Sequence, residues 1–181
     1  MLDNVHFNNC KAEDQLNTIG SRIQLSDVKF QNAASDAFDA DFCTGEIIGG
    51  SLNNIGSRGG GDGIDVSGSE IVIRGTRFHN IADKALSVGE RSTLMASDLQ
   101  FVNVGVGIAS KDDLTTQAEN IQIHTAKVAS FMAYMKKTEY NGGTIHVKQV
   151  EFSSTPVQAI SQIGSHITLN GKTVPEQNID V

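Results

Sequence analysis

Gly59-Gly60-Gly61-Asp62-Gly63-Ile64-Asp65-Val66-Ser67-Gly68-Ser69, followed by Ile71-Val72-Ile73, Phe78-His79-Asn80 and Asp83-Lys84-Ala85-Leu86-Ser87-Val88-Gly89, is the stretch that decides the fold. Two short runs of alternating apolar residues flank a turn that carries an asparagine. Period-two alternation over runs this short marks half-buried strands. The same unit recurs outward in both directions. Phe7-Asn8-Asn9, Phe30-Gln31-Asn32, Leu52-Asn53-Asn54, Phe78-His79-Asn80 and Phe101-Val102-Asn103 share it, and it weakens to Ile123-His124-Thr125 and Phe152-Ser153-Ser154. The lead residues are spaced 23, 22, 26, 23, 22 and 29 apart.

A strand precedes each lead residue, as in Ile23-Gln24-Leu25, Ile71-Val72-Ile73, Ile121-Gln122-Ile123, Ile145-His146-Val147 and Ile167-Thr168-Leu169. A second follows the asparagine, with inward candidates Phe38, Ala40 and Phe42, then Ile64 and Val66, Leu86 and Val88, and Ile108. A unit of this length with two or three strands and no helical stripe predicts a β-solenoid. A leucine-rich repeat of similar period needs fixed leucines and a helical segment, and the sequence has neither. The expected fold is all-β: a single-stranded parallel β-helix of about seven rungs over residues 1–170, with residues 171–181 as a tail or cap. Stacked rungs put equivalent side chains about 4.8 Å apart. Asn32, Asn54, Asn80 and Asn103 are then expected to form an internal ladder, each amide bonding to the next rung.

Leu2-Asp3-Asn4-Val5-His6-Phe7 matches Leu25-Ser26-Asp27-Val28-Lys29-Phe30, so the chain opens in mid-rung. The reading expects a parent chain with further domains before Met1. The 181 residues carry a net charge of −7, 18 glycines, 2 prolines and no tryptophan. An acidic chain without clustered Lys and Arg speaks against a nucleic-acid partner. No apolar run reaches the ~18 residues of a membrane span. Cys10 and Cys43 are too few for a disulfide framework and are expected as free, buried thiols at different corners.

Stacking the second strands by the repeat places Asp36, Asp62, Lys84 and Val106 in one column. Asp39, Asp65, Ser87 and Ala109 form an outward column, and Asp41, Ser67, Gly89 and Lys111 another. Like charges one rung apart repel by about 3 kcal/mol at roughly 5 Å and an effective dielectric of 20. Lys84 offsets this, as would Ca²⁺ on Asp39, Asp41 and Asp65. Asp36, Asp39, Asp65, Ser87 and Lys111 are the candidate ligand-binding residues, for a polysaccharide laid on a floor of small residues. Residues 126–143 have no readable strand register, and Met135 to Gly143 reads as an inserted loop. The five histidines do not cluster, which speaks against a zinc site.

The alternation of asparagine corners with Gly-Ile and Ala-Leu strands resembles the right-handed parallel β-helix of the pectin-lyase-like superfamily. Gly61-Asp62-Gly63-Ile64-Asp65-Val66-Ser67 is similar to a polygalacturonase motif. That resemblance implies that Asp62 and Asp83 sit where two catalytic carboxylates would. It ends there: Lys84 stands in place of a second paired carboxylate, Val106 in place of a histidine, and no Arg-x-Lys follows. A lyase or epimerase would instead use Lys84 or Lys111 as base, with Asp39, Asp65 and Glu90 near a cation. Asp62–Ser69, Asp83–Glu90, Gly107–Asp112 and Lys136–Tyr140 also resemble β-helix segments of bacterial surface proteins, some with spore-coat-type kinase-like domains. This implies a scaffold or adhesion module at the cell surface or outside the cell. The function expected is a non-catalytic scaffold or polysaccharide-binding module, and the alternative is a carbohydrate-active enzyme acting on acidic polysaccharide.

Overall fold

The computed structural model describes residues 1–179, and every regular element in them is a strand. The first rung is β1 (Leu2–Asp3), β2 (His6–Asn8) and β3 (Asp14–Ile19), and the second is β4 (Arg22–Ser26), β5 (Lys29–Ala33) and β6 (Asp36–Asp41). The third is β7 (Thr44–Ile48), β8 (Ser51–Ile55) and β9 (Ile64–Ser67). From the fourth rung some corners run through in strand conformation, giving β10 (Glu70–Arg74) with β11 (Arg77–Gly89), β12 (Thr93–Lys111), β13 (Thr115–Ile123) with β14 (Ala126–Tyr134), and β15 (Thr144–Phe152) with β16 (Ala159–Gln162). β17 (His166–Leu169), β18 (Lys172–Thr173) and β19 (Glu176–Gln177) follow. Apart from β18, the strands pair in parallel with their equivalents in neighbouring rungs, so the chain is a parallel β-solenoid of about seven turns with three faces.

The repeat read from the sequence is the register of the second face. Phe7, Phe30, Leu52, Phe78, Phe101, Ile123 and Phe152 stack in one interior column. Phe7 lies on Phe30 at 5.1 Å between ring centroids, and Phe78 on Phe101 at 5.0 Å, with Leu52 separating the two stacks. Offset stacking of this kind adds to the area term. Phe38, Ile64, Leu86, Ile108 and Phe131 form the matching column of the third face, all buried.

Corners depend on residues that accept a left-handed backbone. Asn9, Asn32, Asn54, Asn80 and Asn103 have φ between 55° and 58°. Asparagine tolerates this region because its short polar side chain bonds locally. The amides are chained from rung to rung: Asn32 donates to Asn9 at 3.2 Å, Asn54 to Asn32 at 3.2 Å, Asn80 to Asn54 at 3.0 Å and Asn103 to Asn80 at 2.6 Å. The ladder is not internal, however. Asn54 is exposed and the other three expected members are half-buried, so the chain of amides runs along the outside of the corner. A left-handed residue turns its side chain out of the alternation, which is why a polar row costs the core nothing here. Thr125 and Ser154 continue the row in sequence but are not left-handed.

The polar ladder that is inside was not apparent in the sequence. At the third corner the Ser69 hydroxyl accepts from the Cys43 N–H at 2.7 Å, and the Ser92 hydroxyl accepts from the Ser69 N–H at 3.1 Å. Both serines are buried.

Three further expectations change. Phe42 points outward, 66% exposed with φ 52°, because it sits at the corner in line with Gly20 and Gly68 and not in the strand before it. Ile121 and Ile123 belong to the second face, and the first-face strand of that rung runs through Thr116 and Ala118, whose small side chains hid it. Cys10 and Cys43 are both free, but Cys10 is only half-buried. The unreadable segment resolves into β14, in register with β12 through Ile108–Phe131 and Lys111–Tyr134, followed by a loop to Gly143. Residues 171–179 turn back through β18, antiparallel to β17, and β19, parallel to β16. The last two residues of the expected tail lie outside the described residues.

Candidate functional site

The charged columns lie on the outward side of the third face, built by β3, β6, β9 and the ends of β11, β12 and β14. The register brings Asp39 onto Asp65, Asp65 onto Ser87, and Asp41 onto Ser67. Lys84 falls opposite Val106.

Two groups form within this face. The first is a relay along one column. An Asp36 carboxylate oxygen accepts from the Asp62 N–H at 2.9 Å, and an Asp62 oxygen accepts from the Lys84 N–H at 3.0 Å. The Lys84 ammonium then reaches Asp62 at 3.4 Å and Asp83 at 2.5 Å. Asp83 gets there because the pairing slips between Ile81 and Lys84, leaving Ala82 and Asp83 opposite Gly105. The crowding explains that glycine: a Cβ on Gly105 would come within 2.4 Å of the Asp83 carbonyl. Burial raises the Asp62 carboxyl above its ordinary value, against the opposing pull of Lys84, and burial likewise raises Asp36. For Lys84, burial alone would lower the pKa, but the Asp62 charge and the Asp83 hydrogen bond outweigh it and the ammonium is held firmly. A lysine in this state is not a base at neutral pH. The Tyr134 phenol, buried nearby, is pushed up to about 12, chiefly by burial.

The second group centres on Lys111, which is 5% exposed. Its stem lies across Gly89, where a Cβ would come within 2.8 Å of it, and Tyr134 stands in register above. The ammonium donates to the Ser87 hydroxyl at 2.8 Å and stands 3.8 Å from Asp65. So Lys111 reaches two rungs back, which no column in the sequence predicts. The other Asp65 oxygen is buried with no hydrogen-bond partner. Asn17 donates to Asp39 at 3.2 Å and to Asp14 at 3.4 Å. The Asp39 carboxyl is pushed up to about 7, first by burial and then by the charges of Asp41, Asp65, Asp14 and Asp36.

Among the described residues, no group of three or more His, Cys, Asp or Glu side chains is placed to hold a metal ion. Asp39, Asp41 and Asp65 therefore share a face without converging as a cation site. Glu90, a candidate beside them, is engaged by Lys137 at the next corner. There the loop after β14 is tied down by Asp112, whose carboxylate accepts from the Lys136 and Lys137 N–H groups at 2.8 and 2.9 Å, while Arg91 packs over Tyr140 at 5.6 Å.

Three concavities lie on another face. One of about 400 Å³ opens on the first face, lined by Val72, Arg74, Met95, Gln117, Glu119 and His146, and two more adjoin it toward Arg22. The third face, where the sequence concentrated its chemistry, lines none of these three.

Fold and site together define a parallel β-solenoid with one acidic, lysine-stapled lateral face. No protein-family model, curated protein or solved structure matches the chain.

Proposed function

We propose that the chain is a non-catalytic β-helix module of a bacterial surface or secreted protein, a scaffold whose third face binds polysaccharide. The observation that carries this reading is the engagement of Lys84 with Asp62 and Asp83 at once. Hydrolysis with inversion needs one carboxyl free to give a proton and another free to draw one from water. Lyase or epimerase chemistry needs an uncharged base at a sugar carbon. Lys84 is held as a cation and occupies both carboxylates, while Lys111 is buried under Tyr134 and spent on Ser87 and Asp65. Right-handed winding, kinship with the pectin-lyase-like superfamily and an extracellular setting belong to the same reading, supported by the asparagine corners and the repeat.

The test is incubation with polygalacturonate, alginate, neutral glucans and chitosan, following reducing ends, ultraviolet absorbance and co-sedimentation. Retention on at least one polysaccharide without turnover is expected. New reducing ends, or unsaturated uronate absorbing in the ultraviolet, lost in Asp62→Asn, would overturn the reading in favour of an enzyme.

A further inference from the structure

We infer that the corner where Phe42 stands beside Asp39, Asp41 and Asp65 is a docking surface for a polysaccharide that carries protonated amino groups. This rests on the polysaccharide-binding reading above and names its ligand class.

Phe42 carries the argument. It holds the left-handed position of its corner at φ 52°, where the neighbouring rungs have Gly20 at 58° and Gly68 at 59°. A bulky residue is strained there, and glycine is not. The ring gains little burial in return, being 66% exposed. One part of it rests on Gly68, where a Cβ would come within 2.6 Å of the ring, and Ile19 beside it is 65% exposed. Packing therefore does not account for an aromatic residue at this place. A flat ring open to solvent is a platform for the apolar face of a sugar ring or for a cation.

Charge selects the partner. Asp41 precedes Phe42 in the chain, Asp39 is two residues further back, and Asp65 is in register with Asp39. Among the described residues neither Asp39 nor Asp41 has a cationic partner, and Lys111 reaches only Asp65. An acidic polymer is repelled by such a surface, and a second copy of the chain would meet its own carboxylates there. Ammonium groups satisfy carboxylates and ring together. The open ring favours a sugar chain over a cationic peptide, since its exposed face matches the apolar face of a pyranose while Asp39 and Asp65, stacked one rung apart, take the ammonium groups.

The experiment is titration calorimetry of the whole chain at low ionic strength with soluble chitosan, its N-acetylated counterpart, dextran, polygalacturonate and poly-lysine. It is repeated on Phe42→Gly and Asp39→Asn/Asp65→Asn, each checked by a thermal melt. Chitosan binding is expected, lost on N-acetylation and weakened roughly tenfold or more in each variant. The Phe42→Gly melting temperature should be no lower than that of the parent, so that lost binding is not lost folding. Chitosan binding unchanged in Phe42→Gly, equal binding of the N-acetylated polymer, or equal binding of poly-lysine would overturn the inference. Binding of dextran or polygalacturonate alone would overturn it and leave the polysaccharide-binding module standing. Binding of no polysaccharide would overturn both.

Discussion

Asn80 holds its corner in two ways. It accepts a left-handed backbone, and its amide both donates to Asn54 and accepts from Asn103. Asn80→Ala loses both bonds and keeps the strain, so a cost of about 2 kcal/mol is expected. Asn80→Gly loses the bonds but relieves the backbone and should cost about half as much. Equal denaturant midpoints for the two variants would show that the backbone conformation plays no part. Thr116 is the opposite case, a polar residue in the aliphatic column between Leu94 and Ile145, its hydroxyl buried without a partner. Thr116→Val keeps the shape and removes the orphan, so a gain of about 1 kcal/mol is expected, a rise of roughly 2–4 °C in melting temperature. An unchanged or lower melt would mean that the hydroxyl has found a partner. The two residues differ in how plainly the sequence displays them. Asn80 recurs at a fixed interval beside a fixed aromatic residue. Thr116 occurs once, and a lone threonine in a strand reads as facing outward. Phe42 misled for the same reason, since alternation from Phe38 and Ala40 points it inward and only its alignment with Gly20 and Gly68 puts it on the corner.

At the scale of the element, the third sheet stacks Asp36, Asp39, Asp41, Asp62 and Asp65 with Lys84 and Lys111 on one surface, and its stability turns on Lys84. Lys84→Met leaves the buried Asp62 carboxylate without its cation and should cost about 3 kcal/mol at neutral pH. The Asp62 carboxyl, already raised by burial, rises further without the lysine. A raised carboxyl binds its proton more tightly in the folded state, so the deficit should shrink as pH falls through that value. A deficit that stays the same from about pH 4 to about pH 8 would separate the loss from Asp62 ionisation. Lys84 itself, raised in the folded protein, keeps its contribution throughout the neutral range and loses it only in alkali. The columns of this sheet could be written down from the repeat alone, because parallel stacking turns a sequence offset into a spatial neighbour. The reach of Lys111 to Ser87 and Asp65 could not, since a four-carbon side chain lying along the solenoid axis ignores the column to which its Cα belongs.

At the scale of the molecule, the raised carboxyls act together. Asp14, Asp36, Asp39 and Asp62 are all held above the ordinary 3.8, with burial the first cause for each. Folding therefore takes up protons between that value and the raised ones, and stability falls as pH rises through the window, whose upper edge is the Asp39 value of about 7. The melting temperature should peak near about pH 4–5 and decline to about pH 8, and Asp39→Asn should recover about 1 kcal/mol at the upper end, allowing for solvent screening of a half-exposed group. A melt that rises with pH over this range would contradict the buried acidic face. The number of rungs follows from the repeat, since every turn buries its apolar side only against the turns above and below, whereas the repeat allowed two or three strands per unit and the three-faced cross-section comes from the pairing. The inner serine ladder does not, because serine is equally common in exposed corners.

β18 returns antiparallel on β17 through Asn170 and Gly171, whose φ values of 50° and 77° suit a two-residue hairpin, while β19 covers β16. A parallel ladder by itself has no natural length, and any chain presenting the right edge can be added to it, as happens in a fibril. Here an incoming strand at the β17 edge meets one that runs the wrong way and is already paired. The hairpin therefore closes the β17 edge to polymerisation, and replacing Asn170-Gly171 with residues that continue the ladder would be expected to turn that edge into a seed for fibres.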